Sequence, residues 1–233
     1  MRNKNYIRLF KPSVGNEELN SIRKVFKHSW LGYGAEVREF EKRFSNYIGT
    51  KHAIGLNSCT AALHLALAIN NFKKNKKVLV PSLTFSATAA AILYNNLKPV
   101  FVDVNDKDLN LNIEDLKNKF DKDCVALIVV HFGGHPCEMD KIMSWARKKK
   151  IIVIEDCAHT CGGFYKNKKL GNWGDYGCFS FEDKKVITTG DGGMLVTNKT
   201  KKLKLLRSLS FHGWDKDPWK RHLKSGGKKS WYY

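Results

Sequence analysis

The sequence predicts an α/β domain in three layers, with helices on both faces of a mostly parallel sheet. Three observations carry this. From His52 onward, short apolar runs rich in β-branched residues alternate with segments of helical periodicity. The longest run, residues 125–130 (VALIVV), has no polar alternation, which is the pattern of a strand covered on both faces. The 233 residues, 42% hydrophobic, suffice for one large domain or two small ones.

Each element follows from its local pattern. Residues 12–28 predict an amphipathic helix, with Leu19, Ile22, Val25 and Phe26 at helical spacing and Ser13 and Asn16 as candidate caps. Trp30-Leu31-Gly32-Tyr33-Gly34 breaks it. A second helix over 37–47 puts Val37, Phe40, Phe44 and Tyr47 on one face and stops at Gly49, a left-handed cap. Strands are expected at 52–56, 78–80, 100–104, 125–130, 151–154, 177–181 and 194–197. Helices over 60–69, 87–93, 113–120 and 139–147 separate the first five, and a basic helix follows at 199–210. Residues 212–233 are rich in Gly, Lys and Trp, lack periodicity, and finish on Trp231-Tyr232-Tyr233. With nothing after them to bury three large aromatics, a chain cut short is expected.

Charge and cysteine content narrow the function classes. The 41 Lys and Arg against 22 Asp and Glu (net +19) raise a nucleic-acid role. The excess is scattered as Lys pairs with one run at 148–150, and no helix-turn-helix or RNP-like segment accompanies it. No nucleic-acid partner is expected. The six Cys are too few for a disulfide scaffold. Neither His131, His135 and Cys137 nor Cys157, His159 and Cys161 has the paired spacing of structural zinc, so no metal is expected. No apolar run approaches a membrane span and nothing near Met1 reads as an export signal. A cytoplasmic protein without a membrane partner is expected.

In open α/β sheets, ligands gather beyond the C-terminal ends of the strands. Here the first strand is followed by Asn57-Ser58-Cys59-Thr60 opening a helix, an anion site. The second is followed by Pro81-Ser-Leu-Thr-Phe85-Ser86, with an aromatic at the rim. Later come His131-Phe-Gly-Gly-His135, then Glu155-Asp156 and His159, then Phe179-Ser180-Phe181, Lys184-Lys185 and Thr188-Thr-Gly-Asp-Gly-Gly193. This inventory suits pyridoxal 5′-phosphate. Its aldehyde takes a lysine as a Schiff base, its pyridine nitrogen takes an acid, and its phosphate takes N–H and hydroxyl donors.

In this order along the chain, these motifs resemble the DegT/DnrJ family of pyridoxal-phosphate-dependent nucleotide-sugar aminotransferases, of the aspartate-aminotransferase fold type. The resemblance runs from Ser29-Trp-Leu-Gly-Tyr-Gly34 through Asn57–Leu67, Val80–Phe85, Gly134-His-Pro136 and Ile154-Glu-Asp-Cys-Ala-His159 to Phe179-Ser-Phe181 and Thr188–Gly193. It implies that Lys185 is the Schiff-base lysine and proton shuttle. Lys184 is the neighbouring rival, but the family's lysine lies five residues after the Ser of Phe-Ser-Phe and three before Thr-Thr-Gly, and Ser180 and Thr188 put both counts on Lys185. A lysine there argues against the family's sugar-dehydratase branch, which has histidine. Glu182-Asp183-Lys184 and Val186 replace the family's usual His-Ala-Thr and Asn, which leaves the local electrostatics open.

The resemblance further makes Asp156 the partner of the pyridinium nitrogen, against a reading as a strand-end helix cap. It makes His159 a cofactor contact, against a satisfied core histidine, and Phe85 the ring-stacking aromatic, against plain core. Ser180, Thr60 and Ala61 match phosphate contacts, with Ser58 as a helper. Cys59 stands where the family commonly has Gly, a change that leaves backbone donation intact. Trp30, Gly32 and Tyr33 would line the sugar-nucleotide entrance.

The expected organisation is an N-terminal helical segment and entrance loop (1–36), a cofactor-binding large domain (37–211), and the start of a connection (212–233) to a C-terminal small domain. The expected activity is amino transfer, by family usually from L-glutamate, to a nucleotide-diphosphate keto-sugar for polysaccharide or other glycoconjugate synthesis. A homodimer is expected at full length, and little turnover from these residues alone. Two other classes stand beside it. A cofactor-binding but inactive or regulatory homologue would show no response of the bound cofactor to donor amino acid. A basic nucleic-acid binder would show steeply salt-dependent DNA binding.

Overall fold

The computed structural model describes residues 10–28 and 30–214. The expected alternation is present. Helices α1 (Asn16–Lys27) and α2 (Ala35–Ile48) lead into β1 (His52–Leu56), α3 (Cys59–Ala68), β2 (Lys77–Pro81), α4 (Ser86–Tyr94) and β3 (Lys98–Val102). Then come α5 (Ile113–Lys119), β4 (Cys124–Val130), α6 (Met139–Lys149) and β5 (Ile152–Asp156). A short antiparallel hairpin, β6 (Phe164–Tyr165) with β7 (Lys168–Lys169), precedes β8 (Tyr176–Ser180), β9 (Gly193–Thr197) and α7 (Leu203–Leu209).

Seven strands form one sheet in the order β1-β9-β8-β5-β4-β2-β3. Only β9 runs against its neighbours, pairing antiparallel with both β1 and β8. The C-terminal ends of the other six therefore share one edge, and β9 starts there.

The strands show why alternation is absent from the sequence. Along β4, Leu127 and Val129 enter one core with Met139, Ile142 and Leu116 from α6 and α5. Ala126 and Ile128 enter the other, with Ala62, Leu63 and Ala66 of α3, Ala91 and Ile92 of α4 and Leu206 of α7. Successive strand residues point to opposite faces, and both faces are covered. That makes three layers.

Local chemistry sets the helix ends. Ser58 caps α3, its hydroxyl accepting the Ala61 N–H at 3.1 Å, worth about 1 kcal/mol. Asn112 caps α5 by accepting from Glu114 and Asp115, and α2 ends at Gly49 with φ +85° as expected. The cap of α1 is Gly15 rather than Ser13 or Asn16, and none of the helix's residues is buried. The basic helix expected at 199–210 is a 3₁₀ turn, Thr200–Lys202, followed by α7. Most of residues 212–233 lies outside the described residues.

Glu155, adjacent to Asp156 on β5, staples the strand to the loop before β8. Its buried carboxylate accepts the Trp173 and Gly174 N–H groups at 2.7 Å on Oε1, and the Gly171 N–H at 2.9 Å on Oε2. His131 Nε2 lies 3.1 Å from Oε2, and its Nδ1 accepts the Cys137 N–H, so the ring proton points at Glu155. His131, Glu155 and Cys157 bring their ligand-type atoms within 4.8 Å of one another, but both carboxylate oxygens already hold protein donors. Glu155→Gln would turn an NH₂ group toward backbone N–H donors. It is expected to cost about 3 kcal/mol, seen as a lower urea midpoint; an unchanged midpoint would refute the staple.

Candidate active site

The edge where the strands end gathers the expected residues from four elements. Leu56 pairs with Gly193, Gly193 with Ser180, and Cys178 with Asp156. The ends of β1, β8 and β5 and the start of β9 thus lie side by side. Beyond β1, the first turn of α3 directs backbone N–H groups outward, a stabilising arrangement for an anion. Ala61 N–H is bound by Ser58 Oγ and Ala62 N–H by the Ser58 carbonyl, which leaves Cys59 and Thr60 as the donors of that turn.

Gly193 holds this turn in place by what it lacks. A Cβ there would meet the Ser58 carbonyl carbon and oxygen at 2.2 and 2.3 Å and the Cys59 nitrogen at 2.6 Å. Gly193→Ala must push the turn away from β9. We expect a stability loss of about 2 kcal/mol and at least a roughly tenfold weaker pyridoxal-phosphate affinity, with denaturation and cofactor titration as the readouts. Unchanged affinity would mean that the turn does not hold the phosphate.

Asp156 ends β5 with 5% of its surface exposed. Its Oδ1 accepts the Ala158 N–H at 3.1 Å and faces the Cys59 thiol at 3.8 Å. Its Oδ2 accepts the Thr88 hydroxyl at 2.8 Å, and the Thr84 hydroxyl lies 2.8 Å from that of Thr88. Thr88 and the thiol of Cys59 were not among the residues expected to matter. They lie 68 and 97 positions from Asp156, and no local motif signals either contact.

Phe85 is the N-cap residue of α4 and is 74% exposed, so it is not a core aromatic. His159 is exposed as well. Its Nδ1 accepts the Gly133 N–H at 3.3 Å, and its ring sits edge-on to Phe132. Burial, and after it the Lys185 ammonium, hold the imidazole below its ordinary value, with Asp156 opposing. Ser180 is half-buried at the end of β8, its hydroxyl 3.5 Å from the Glu182 N–H.

The two lysines part company. The loop from Glu182 to Gly190 is tied at its base, where the Thr189 N–H and the Thr188 hydroxyl both bind the Phe181 carbonyl. Lys184 is exposed and lies 3.6 Å from Glu182. Lys185 is half-buried, and its charge is felt at both His159 and Cys59, lowering each pKa. Lys185 therefore sits in the same crevice as Asp156, while Lys184 faces an acid at the surface.

A groove of about 1460 Å³ joins this edge to the Trp30–Gly34 segment. Gly32 and Tyr33 line it together with Asn57, Ala61 and Gly193. The Tyr33 hydroxyl is already engaged, donating to Glu41 Oε2 at 2.9 Å and accepting from Arg207 of α7. Glu41 is buried and also takes the Gly55 N–H at 2.8 Å, so one carboxylate locks α2, β1 and α7 together. Trp30 stacks on Gly34 and donates to the Tyr33 carbonyl at 3.2 Å.

A doubly covered sheet of this topology is the large-domain architecture of pyridoxal-phosphate aminotransferases. The chain belongs to the DegT/DnrJ/EryC1/StrS aminotransferase family, whose profile matches residues 12–229. Aminotransferases of this family depend on pyridoxal phosphate. The chain is 39% identical over 222 residues to the spore coat polysaccharide biosynthesis protein SpsC of Bacillus subtilis, covering 95% of this chain and 56% of that one. It is 36% identical over 209 residues to the GDP-perosamine synthase of Escherichia coli O157:H7, covering 89% and 57%. In structure it resembles the E. coli GDP-4-keto-6-deoxy-D-mannose-3-dehydratase with bound hydrated pyridoxal phosphate. The TM-score is 0.86 at 27% identity, covering 90% of this chain and 55% of that one. The chain spans a little over half the length of the curated relatives it matches.

Proposed function

We propose that this chain is the cofactor-binding part of an aminotransferase that moves an amino group, from L-glutamate, onto the ketone of a nucleotide-diphosphate sugar. The observation that carries this is the crevice itself. A free helix N-terminus, a buried carboxylate, an exposed aromatic and a half-buried lysine come from four separate segments to one sheet edge. Lys185 rather than a histidine at that place supports transfer over dehydration. The SpsC and perosamine-synthase relatives support a sugar-nucleotide substrate and a polysaccharide product.

The residues present fit pyridoxal phosphate. The Cys59 and Thr60 N–H groups, with Ala61, Ser58 and Ser180 around them, would hold the phosphate; Gly193 leaves room for that turn. Phe85 would cover one ring face, with His159 nearby, and Asp156 would pair with the ring nitrogen. When bound, the cofactor acts as the electron sink that makes the donor's α-carbon acidic. Lys185 binds the cofactor aldehyde, is displaced by the donor amine, and then carries the proton lost from the α-carbon. Asp156 keeps its charge against the ring nitrogen throughout. Gly32 and Tyr33 admit the sugar nucleotide along the groove, beside Trp30.

In this reading, residues 1–36 carry the entrance, 37–211 hold the cofactor, and 212–233 lead onward. The working protein is a cytoplasmic homodimer, a reading supported by family membership; among the described residues no helix is long and apolar enough to cross a membrane. The test is glutamate-dependent amination of a panel of nucleotide keto-sugars, scored for 2-oxoglutarate and amino sugar in equal amounts. Oxo acid formed without amino sugar, or deoxygenated sugar instead, would refute it.

A further inference from the structure

The geometry points to Thr88 and Cys59 as positioning residues that fix the Asp156 carboxylate and keep the shared proton on the cofactor's ring nitrogen. This rests on the proposed pairing of Asp156 with that nitrogen. An ionised carboxylate offers about four lone-pair positions. Two on Oδ1 are taken by the Ala158 N–H at 3.1 Å and the Cys59 thiol at 3.8 Å. One on Oδ2 is taken by the Thr88 hydroxyl at 2.8 Å. A single position on Oδ2 is left for an incoming N–H.

The direction of each donor is fixed by its surroundings. Thr88 is fully buried, and a carboxylate can only accept, so its proton goes to Asp156 and Thr84 donates to Thr88 in turn. Burial first, and the Asp156 charge second, push the Cys59 thiol well above its ordinary value, so it stays S–H and donates. The two donors come from the helices that frame the crevice. Cys59 is the first residue of α3, whose N–H groups face the phosphate site, and Thr88 lies one turn into α4 behind Phe85. The contacts that orient the carboxylate are therefore built into the phosphate turn and the stacking helix.

The chemical consequence has a sign. Donors withdraw charge from the carboxylate and lower its proton affinity, so a proton shared between Oδ2 and the ring nitrogen stays on nitrogen. Each charge-assisted donor removed should shift that preference toward oxygen by about tenfold. The experiment is the ¹⁵N NMR shift of ring-labelled pyridoxal phosphate bound at saturation to the 233-residue chain, in wild type, Thr88→Val, Thr88→Ser, Cys59→Ala and Asp156→Asn.

The wild type and Thr88→Ser should show a protonated ring nitrogen. Thr88→Val and Cys59→Ala should move toward the unprotonated shift, and Asp156→Asn should reach it. Donors with only a packing role would change affinity or stability, yet leave the shift at saturation unmoved. If Asp156→Asn stays protonated, or the wild type takes up no cofactor, the underlying assignment of the site is wrong. If Asp156→Asn loses the proton while Thr88→Val and Cys59→Ala both match wild type, only the positioning role is overturned. Cys59→Ala decides the matter alone should Thr88→Val fail to fold.

Discussion

Lys185→Ala is expected to abolish the visible absorption that a lysine-bound pyridoxal phosphate gives, while Lys184→Ala retains it. The two side chains are neighbours in a chain with 41 basic residues, so composition cannot choose between them. Spacing can: Lys185 lies five residues after Ser180 and three before Thr188. The fold separates them further. The loop closes at its base on the Phe181 carbonyl, which turns Lys185 toward His159 and Cys59 and leaves Lys184 against Glu182 at the surface. Lysine-bound and free cofactor absorb differently, so the effect is loss of a band rather than a graded change. A band lost in Lys184→Ala and kept in Lys185→Ala would reverse the assignment.

The second large effect belongs to Asp156. Asp156→Asn keeps the shape of the side chain and removes its charge. In a form of the protein that turns over, the single-turnover reaction with donor should slow by on the order of a thousandfold, the scale of losing one preorganised electrostatic partner. Cofactor affinity should fall by only about tenfold, since the phosphate turn and Lys185 remain. Near-normal rates would make Asp156 a structural carboxylate that merely caps the turn through Ala158 and receives Thr88. Rate and affinity falling by the same factor would make it a binding group without a role in the reaction.

The layered fold could be read from the sequence because the physics is local. Buried strands such as β4 need continuous apolar runs, and the helices between them need helical spacing and caps, all visible within a short window. Strand ends shift by one or two residues, since pairing with neighbours decides where a ladder stops; β5 extends to Asp156 because it pairs with Cys178. The reversal of β9 is not visible, because Met194–Thr197 has the same apolar character in either direction. The β6–β7 hairpin is two residues per strand and carries no periodicity.

For the site, order along the chain was enough to nominate residues at strand ends. What it could not supply were contacts made across the sheet. Thr88 reads as a small helix residue and Cys59 as an inert replacement for glycine until the fold sets both against Asp156. Glu155 reads as half of a common Glu-Asp pair, yet it holds three backbone N–H groups from one loop. Tyr33 reads as an open entrance residue, but its hydroxyl is committed to Glu41 and Arg207.

The most direct test of the central claim is the absorption spectrum of the purified protein with pyridoxal phosphate, recorded before and after L-glutamate. The account predicts a visible band on adding the cofactor, dependent on Lys185, which glutamate bleaches as the amino group moves to the cofactor. No visible band would contradict the cofactor site. A band that neither glutamate nor any other amino acid alters would contradict amino transfer and leave a protein that only binds the cofactor.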